Sequence, residues 1–186
     1  MFAHHAPDVK IGVLLSGGMD SALLLYLLAK NFSNEIQPIT VPKHDGAANY
    51  VNPILTWIEN TTHRSINDPI IIGNPDLHHS MIVGDVLRRC FNHKLADVFY
   101  VGDNQYPEDV LPNGPKRIKM PGVYYPFFNW HKTDIVLKYA SENIFDLLPL
   151  THTCTERAVG RCNNCWQCKE RIWAFAECNI QDLTTT

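Results

Sequence analysis

The hydrophobic pattern near the start of the chain changes its period within a few residues. Residues 9–15 form an almost continuous apolar run, as in a strand that is buried on both faces of a parallel sheet. Gly17 and Gly18 follow, and from Met19 to Asn31 the apolar residues recur with helical spacing. The pattern therefore predicts a strand, a tight loop and a helix.

Strand and helix patterns continue to alternate along the chain. Further strands are predicted at residues 36–41, 69–73, 97–102 and 124–128, and further helices at residues 48–59, 80–92, 132–143 and 165–178. Such alternation is typical of βαβ units, so we expect an α/β fold, with a Rossmann-like parallel sheet flanked by helices. Four prolines and two glycines break the pattern at residues 103–122, which we interpret as a binding loop or a mobile one, with a disordered insertion as the alternative.

Length and composition restrict the function only slightly. The chain has 186 residues, 45% of them hydrophobic, and a formal charge of -3. This length suits one compact unit, which we divide into a main α/β domain at residues 1–150 and a C-terminal segment at residues 151–186. The charge gives no reason to expect nucleic-acid binding. The sequence does not determine the oligomeric state, and a homodimer is one option.

The chain shows no pattern for membrane insertion. Residues 1–8 lack the basic and apolar stretches of a signal peptide, and no later segment has about 18 continuous apolar residues. We therefore expect a cytoplasmic protein.

Four of the six cysteines crowd into fifteen positions near the C-terminus. Seven residues separate Cys154 from Cys162, and two residues lie between each neighbouring pair of Cys162, Cys165 and Cys168. In a reducing compartment this crowding favours a metal over disulfides. Four thiolates would complete a tetrahedral, structural Zn²⁺ site, and we expect Arg161, Lys169 and Arg171 to offset part of its negative charge.

An iron–sulfur cluster is the alternative to zinc. The spacing Cys-x2-Cys-x2-Cys also occurs in ferredoxin-like sequences, although those continue with x3-Cys-Pro. This chain continues with Lys169-Glu170-Arg171 after Cys168.

The loop after the first strand has the composition of an anion site. Gly17 and Gly18 let backbone N–H groups converge on a phosphate at a helix N-terminus, and Ser16 and Ser21 add hydroxyl donors. A carboxylate at Asp20 would repel a phosphate unless a hard cation such as Mg²⁺ lies between them. Its alternative role is that of a helix N-cap.

Lys132 is predicted in the first turn of the helix at residues 132–143, with Asn129 as the N-cap. The helix dipole disfavours a cation at that end unless an anion is near. From position alone, a solvated lysine is the better interpretation.

The sequence Ser16-Gly17-Gly18-Met19-Asp20-Ser21 resembles the pyrophosphate-binding signature of the PP-loop ATP pyrophosphatases. It lacks the glycine spacings of the P-loop kinases and of dinucleotide-binding proteins. The resemblance implies that ATP is split between its α and β phosphates, that AMP is placed on a substrate oxygen, and that pyrophosphate leaves into the glycine loop. A nucleophile, often ammonia or a sulfur donor, then attacks the adenylated carbon.

The C-terminal part of the chain resembles 7-cyano-7-deazaguanine synthase, which combines the same loop with the same cysteine spacing. The match covers about the first 45 and the last 65 residues. It is carried there by Tyr125-Pro126-Phe127-Phe128-Asn129-Trp130-His131-Lys132-Thr133-Asp134-Ile135-Val136, by Thr153-Cys154, and by Cys162, Asn163, Asn164, Cys165, Cys168, Arg171 and Phe175-Ala176-Glu177.

This resemblance implies a function and a set of site residues. A deazapurine carboxylate, 7-carboxy-7-deazaguanine, would be converted to the nitrile with ATP, Mg²⁺ and ammonia. The zinc would be held by the four clustered cysteines. Lys132 matches a lysine of the family, which favours the anion role over the solvated one. The pyrophosphate would be held by Ser16, Gly17, Gly18, Met19, Asp20 and Ser21, and substrate contacts are expected at Lys43, Asp103 and Tyr106.

The middle of the chain departs from the family. Residues 77–81 replace a proline-glycine-arginine-asparagine stretch, and residues 43–46 replace aspartate-tyrosine-glycine-glutamine. Two alternatives therefore stay open, which are another PP-loop reaction, such as tRNA thiolation or amidation of a different carboxylate, and an inactive nucleotide-binding module.

Overall fold

The structure, a computed structural model, describes residues 2–76, 79–105 and 120–184, and it describes side chains for all of these except residues 79–81. Five strands form one sheet, in which each strand is parallel to its neighbours and the order is β3-β2-β1-β4-β5. The strands are β1 (Ile11–Leu14), β2 (Ile36–Thr40), β3 (Ile70–Ile71), β4 (Val98–Tyr100) and β5 (Val123–Tyr124). This confirms the predicted α/β class with a parallel sheet.

The helices lie close to their predicted positions. They are α1 (Met19–Asn31), α2 (Val51–Thr62), α3 (His79–Asn92), α4 (Lys132–Glu142) and α5 (Trp166–Glu177), with short 3₁₀ segments at Ala47–Tyr50 and Phe145–Leu150. The bounds of α1 are those predicted from its apolar spacing. The strand predicted at residues 124–128 was wrong in extent, because the chain leaves the sheet after Tyr124 and turns toward α4.

Helix α1 is the centre of the core. Ten of its thirteen residues are buried, because the sheet covers one side of the helix while α2 and α4 pack on others. Such an all-round apolar helix is expected in the middle of a layer rather than at its edge. Helix α3 covers the opposite face of the sheet, where Val86, Leu87 and Cys90 pack with Ile39 and Phe99.

No helix in the described parts of the chain has the length and apolar character required to cross a membrane.

Candidate functional site

The first candidate site lies at the carboxyl edge of β1 and β4, where the strand order changes direction. Strand β1 has β2 on one side and β4 on the other, and ligands of open α/β sheets bind at such a position. A Cβ atom on Gly102, in the loop after β4, would lie 3.2 Å from backbone atoms of Asp20 and Ser21. The loop after β4 is therefore packed against the first turn of α1.

The phosphate loop, defined here as residues 15–18, requires glycine at position 17. Gly17 has a φ of +87°, and a Cβ atom there would lie 1.9 Å from the carbonyl oxygen of Ala47. Gly18 is the N-cap of α1, so Asp20 lies in the first turn of the helix. The predicted alternative of Asp20 as the N-cap is therefore wrong. First-turn N–H groups have no intrahelical acceptor, which makes this end of α1 a suitable anion site.

The two serines of the motif shape the loop by bonding to each other. The Ser21 hydroxyl donates to the carbonyl of Gly18 over 3.0 Å and accepts from the N–H of Ser16 over 3.2 Å. The Ser16 and Ser21 hydroxyls lie 3.1 Å apart. Met19 is buried in the core, and its carbonyl accepts a 2.7 Å hydrogen bond from Tyr139.

Lys132 lies at this site as part of an ion group with Asp20 and Glu170, the lysine–carboxylate group. Its side chain is 7% exposed, and Nζ is 2.5 Å from Asp20 Oδ2 and 3.4 Å from Glu170 Oε2. The interpretation as a solvated lysine is therefore wrong. The two carboxylates offset the unfavourable dipole at the start of α4.

Burial and pairing act in opposite directions on these charges. Burial disfavours the ammonium, but the charges of Asp20 and Glu170 outweigh it and raise the pKa of Lys132. Burial raises the pKa of Glu170, which the charge of Lys132 offsets only in part. Lys132 is thus held in its charged form.

Each carboxylate of the lysine–carboxylate group has a buried second oxygen. Asp20 Oδ1 and Glu170 Oε1 have no hydrogen-bond partner among the described residues. A hard cation prefers carboxylate oxygens, so Asp20 Oδ1 fits the role of a magnesium ligand beside a phosphate.

His152 connects the C-terminal segment to the phosphate loop. Its backbone N–H donates to the carbonyl of Gly17 over 2.8 Å. The residue is 5% exposed, and its ring stacks on Tyr50 with centroids 5.0 Å apart and planes at 26°. The loop is therefore supported from both sides, by Ala47 and by His152.

The second candidate site is the cysteine cluster. All six cysteines are free thiols, and the Sγ atoms of Cys154, Cys162, Cys165 and Cys168 all lie within 4.8 Å of one another. Zn–S bonds of about 2.3 Å place tetrahedral sulfurs roughly 3.8 Å apart, which this cluster nearly matches. A cubane iron–sulfur cluster binds each thiolate through a different iron and so needs them farther apart. The donor set and its spacing fit a single tetrahedral ion.

Backbone N–H groups support the thiolates as in a metal knuckle. The N–H groups of Cys165 and Asn164 donate to Cys162 Sγ over 3.1 and 3.4 Å, and they lower the pKa of the Cys162 thiol. The N–H of Glu156 donates to Cys154 Sγ over 3.4 Å.

Two arginines were predicted to offset the charge of the cysteine cluster, but both form ion pairs with Asp182 instead. Arg171 is buried, and its Nε and Nη2 donate to the two oxygens of Asp182 over 2.9 and 3.2 Å. Arg161 Nη1 donates to the same carboxylate over 2.6 Å. Arg171 also donates to Thr153 over 2.8 Å, which ties α5 to the cysteine segment.

The predicted substrate contacts are the least defined part of the site. Lys43 and Asp103 are half-buried in the loops after β2 and β4, at the same edge of the sheet as the phosphate loop. Tyr106 lies outside the described residues, as do His78 and the side chains of residues 79–81. Their roles toward a substrate stay predictions.

The sequence reading did not identify Glu170 and His152. Glu170 lies on the buried side of α5, four residues before Ala174, while Ile172 and Trp173 are 46% and 39% exposed. Cys168, Arg171 and Phe175 are three and four residues apart and so share one face of a helix, and this spacing would have indicated the buried side of α5. No local signal distinguishes His152.

Comparisons with known proteins agree with this fold. A family model for asparagine synthase matches residues 3–50, which include β1, the phosphate loop and α1. No curated protein sequence matches the chain. Among solved structures, the U34-tRNA thiolase NcsA from Methanococcus maripaludis with its [4Fe-4S] cluster is similar, with 16% identity and a TM-score of 0.52.

The alignment with the thiolase covers 91% of this chain but only 64% of the thiolase, so this chain spans less than two thirds of its length. At such low identity the likeness concerns the fold alone. The chain therefore shares its α/β fold with this thiolase, and four cysteines near its C-terminus are placed to bind a metal.

Proposed function

We propose that this chain is a PP-loop enzyme that uses ATP to adenylate a carboxylate, releases pyrophosphate, and forms an amide or nitrile with ammonia. The observation that carries the proposal is the contact of the buried Lys132 with the half-buried Asp20 at the phosphate loop, 2.5 Å long and joining residues 112 positions apart. A fold that only needed a core at this point would not bury the ammonium group of Lys132.

The arrangement accounts for the first chemical step. The N–H groups of the loop and of the first turn of α1 bind the β and γ phosphates of ATP. The substrate carboxylate attacks the α-phosphorus, the bond between the α-phosphorus and its bridging oxygen breaks, and pyrophosphate leaves into the loop. Asp20 would hold Mg²⁺ through Oδ1, and the bound ion would supply charge neutralisation for the leaving group. Lys132 supplies a fixed positive charge at the same place.

The second step needs little from the protein beyond positioning. Ammonia attacks the activated carbonyl carbon and AMP leaves, which yields the amide. Adenylation of the amide oxygen by a second ATP, followed by loss of AMP and protons, yields the nitrile. The protein contributes by holding acceptor and nucleotide in contact and by excluding water.

The acceptor we propose is 7-carboxy-7-deazaguanine. Support comes from the sequence resemblance at residues 125–136 and 153–177, which brackets Lys132 and contains all four clustered cysteines. Lys43, Asp103 and Tyr106 are the proposed contacts to this substrate. The cysteine cluster is proposed to bind Zn²⁺ in a structural role, since four thiolates leave no open position.

Sulfur transfer to a tRNA base is a second candidate, because the thiolase that shares the fold holds a [4Fe-4S] cluster. The formal charge of -3 and the close spacing of the four Sγ atoms argue against it. Metal analysis of anaerobically purified protein distinguishes the two. One zinc per chain and a colourless solution support the ligase, whereas a brown, iron-containing protein supports sulfur transfer.

The test of the ligase is pyrophosphate release, measured by a coupled assay with ATP, Mg²⁺, ammonia and 7-carboxy-7-deazaguanine. We expect release that depends on the acceptor, and its loss by at least about a hundredfold in Asp20→Asn. Asp85→Asn is the matched control, because Asp85 is 47% exposed on α3 and pairs only with Arg88 and Arg89 among its described contacts.

Three outcomes would contradict parts of the proposal. Turnover that survives Asp20→Asn excludes the role given to Asp20. Release with a different carboxylate but not with carboxydeazaguanine excludes the acceptor. ATP binding by calorimetry without turnover of any carboxylate supports a non-catalytic nucleotide-binding module.

A further inference from the structure

The peptide that joins Gly17 to Gly18 lies in the middle of the phosphate site. A planar trans peptide directs its C=O and its N–H to opposite sides, so the direction of the Gly17 carbonyl determines that of the Gly18 N–H. An N–H group turned toward a phosphate attracts it, whereas a carbonyl oxygen in the same place repels it. The orientation of this one peptide therefore affects how well the loop binds an anion.

The two glycines do not fix this orientation by themselves. Gly17 and Gly18 are the only adjacent glycines in the sequence, with φ angles of +87° and -84°. Because glycine has no Cβ atom, it adopts either sign of φ at little cost. Rotation of a peptide between two glycines thus meets little local resistance, and the observed orientation needs a contact from outside the pair.

The backbone N–H of His152 supplies this contact. It donates to the Gly17 carbonyl over 2.8 Å. On the other side of the peptide, the Gly18 N–H donates to the Ser16 hydroxyl over 3.3 Å, which is longer than most N–H···O bonds. A phosphate oxygen can take the place of the Ser16 hydroxyl, while the carbonyl side stays fixed by the shorter bond.

His152 is itself held firmly in place. Thr151, which precedes it, donates its backbone N–H and its hydroxyl to the carbonyl of Leu148 over 3.0 and 2.8 Å. The ring of His152 stacks on Tyr50, the last residue of the 3₁₀ segment that approaches the phosphate loop through Ala47. The donor of the bond to the loop therefore has a rigid support.

We infer that His152 is a positioning residue, whose backbone N–H holds the Gly17–Gly18 peptide with its own N–H turned toward the phosphate and prevents the rotation that would place the Gly17 carbonyl there. This inference rests on the proposed function of the phosphate loop. It assigns a part in phosphate binding to a residue of the C-terminal segment that need not touch the ligand.

The first test removes the N–H of residue 152 and measures the binding of magnesium pyrophosphate by calorimetry. L-Lactic acid, incorporated at position 152 by nonsense suppression, differs from alanine only by an ester oxygen in place of the N–H. We expect it to bind pyrophosphate about fivefold more weakly than His152→Ala, because loss of one hydrogen bond lowers the fraction of chains with the competent peptide orientation. His152→Ala keeps the N–H and should stay within about twofold of wild type.

His152→Pro is a genetically encoded version of the same change. Thr151 has φ -108° and ψ 150°, which suits a residue before proline. This variant should also bind pyrophosphate at least about fivefold more weakly than His152→Ala. The ester keeps the test valid if the proline variant does not fold.

The second test observes the peptide directly by NMR. In protein labelled with glycine that carries ¹³C at its carbonyl and ¹⁵N at its nitrogen, Gly17–Gly18 is the only peptide in which both bonded atoms are labelled. A carbonyl carbon moves upfield when its oxygen loses a hydrogen bond. We expect this shift of the Gly17 carbonyl in the lactic acid and proline variants but not in His152→Ala.

These measurements separate positioning from a general structural role. If His152→Ala weakens pyrophosphate binding as much as lactic acid does, the ring and its packing are responsible, and the inference is wrong. A Gly17 carbonyl resonance that does not change when the N–H is removed would also overturn it, because the bond would then not hold the peptide.

The wild-type measurement distinguishes failure of this inference from failure of the proposed function. If the wild-type chain does not bind magnesium pyrophosphate, both are wrong. If it binds with an affinity that removal of the N–H leaves unchanged, the function proposed for the loop stands and the role of His152 is wrong.

Discussion

The phosphate loop and the cysteine segment (residues 151–165) lie side by side but are held in place by different means. The loop begins at the buried Leu15 and leads into Met19 and Ala22, which are also buried, so the hydrophobic core around α1 fixes it. The cysteine segment has no regular secondary structure, and Val159 within it is 80% exposed. It is held by the sulfur cluster, by polar bonds to α5, to the phosphate loop and to Asp182, and by the stacking of His152 on Tyr50.

This difference shows that two neighbouring parts of one site can be stabilised by different interactions. Burial of apolar surface organises the part that binds phosphate, since about 25 cal/mol is gained for each Å² removed from water. The segment with little apolar surface needs a metal or an ion network instead. Each of the two regions should therefore respond to a different kind of perturbation.

Metal removal should have the largest effect and should be confined to the cysteine segment and α5. Apparent binding free energies of structural zinc in small peptides are about 10–16 kcal/mol, so loss of the metal should unfold a segment with so little core. We expect Cys168→Ser to raise hydrogen exchange in residues 151–165 and in α5, while β1 and α1 stay protected.

Cys178→Ser is the control for this experiment, because Cys178 lies outside the cluster and is only half-buried. It should retain the metal and the protection of the cysteine segment. Equal protection of residues 151–165 with and without metal would contradict the contrast drawn between the two regions.

A substitution at Gly17 should damage the phosphate loop and leave the metal bound. With a φ of +87° and a Cβ position 1.9 Å from the Ala47 carbonyl oxygen, Gly17→Ala forces the backbone to move. We expect the free energy of unfolding to fall by about 2–4 kcal/mol in urea titrations.

Gly18→Ala is the matched control for Gly17→Ala. Gly18 has a φ of -84°, and its nearest Cβ contacts would be at 3.4 and 3.5 Å. Its effect on unfolding should stay below about 1 kcal/mol. If the two variants lose similar amounts of unfolding free energy, the positive φ of residue 17 is not the reason why glycine is required there.

Asp182→Asn should weaken the polar anchor of the cysteine segment in a pH-dependent way. Burial alone would raise the pKa of Asp182, but the hydrogen bonds and charge of Arg171 and the bond from Arg161 outweigh it and lower the pKa below its ordinary value. The folded state thus favours the carboxylate. Its stabilisation is fully present above the unfolded pKa of about 3.9 and is lost as the pH falls below that value.

We expect Asp182→Asn to lower the free energy of unfolding by about 3 kcal/mol at pH 7, because two arginines lose their shared partner. The difference from wild type should shrink as the pH falls from 4 toward 3, as measured by urea unfolding. Asp85→Asn, at an exposed position on α3, is the control. A difference that is constant over this range would exclude the charge of Asp182 as its cause.

Local pattern was sufficient for those parts of the molecule that are built from neighbouring residues. The apolar spacing predicted α1 with its observed bounds, and the cysteine spacing predicted four sulfurs that do lie within 4.8 Å of one another. Both features depend on short stretches of chain whose chemistry is visible in the sequence.

Long-range partners could not be predicted in the same way. From its position in the sequence, Lys132 was expected to be solvated. Its two carboxylate partners could not be foreseen, because one lies on α1, 112 residues earlier, and the other on α5. Arg171 was predicted to offset the charge of the cysteine cluster and Glu170 had no predicted role, because their burial depends on the packing of α5 on α4. The substrate side, which includes Tyr106, stays a prediction.

The start of α4 provides the last and smallest test, since it connects the two regions through Lys132. The predicted N-cap, Asn129, is wrong. His131 occupies that position, and its backbone N–H donates to Asp134 Oδ2 over 2.8 Å. Asp134→Ala should lower the free energy of unfolding by about 0.5–1 kcal/mol, because the N-terminus of α4 loses this bond and a favourable first-turn charge.

Asn129→Ala should change the free energy of unfolding by less than about 0.5 kcal/mol, because Asn129 is exposed and lies outside the helix. Urea titrations of both variants, with metal content confirmed, give the comparison. If Asn129→Ala lowers the free energy of unfolding more than Asp134→Ala does, Asn129 is the N-cap of α4, as expected from the sequence.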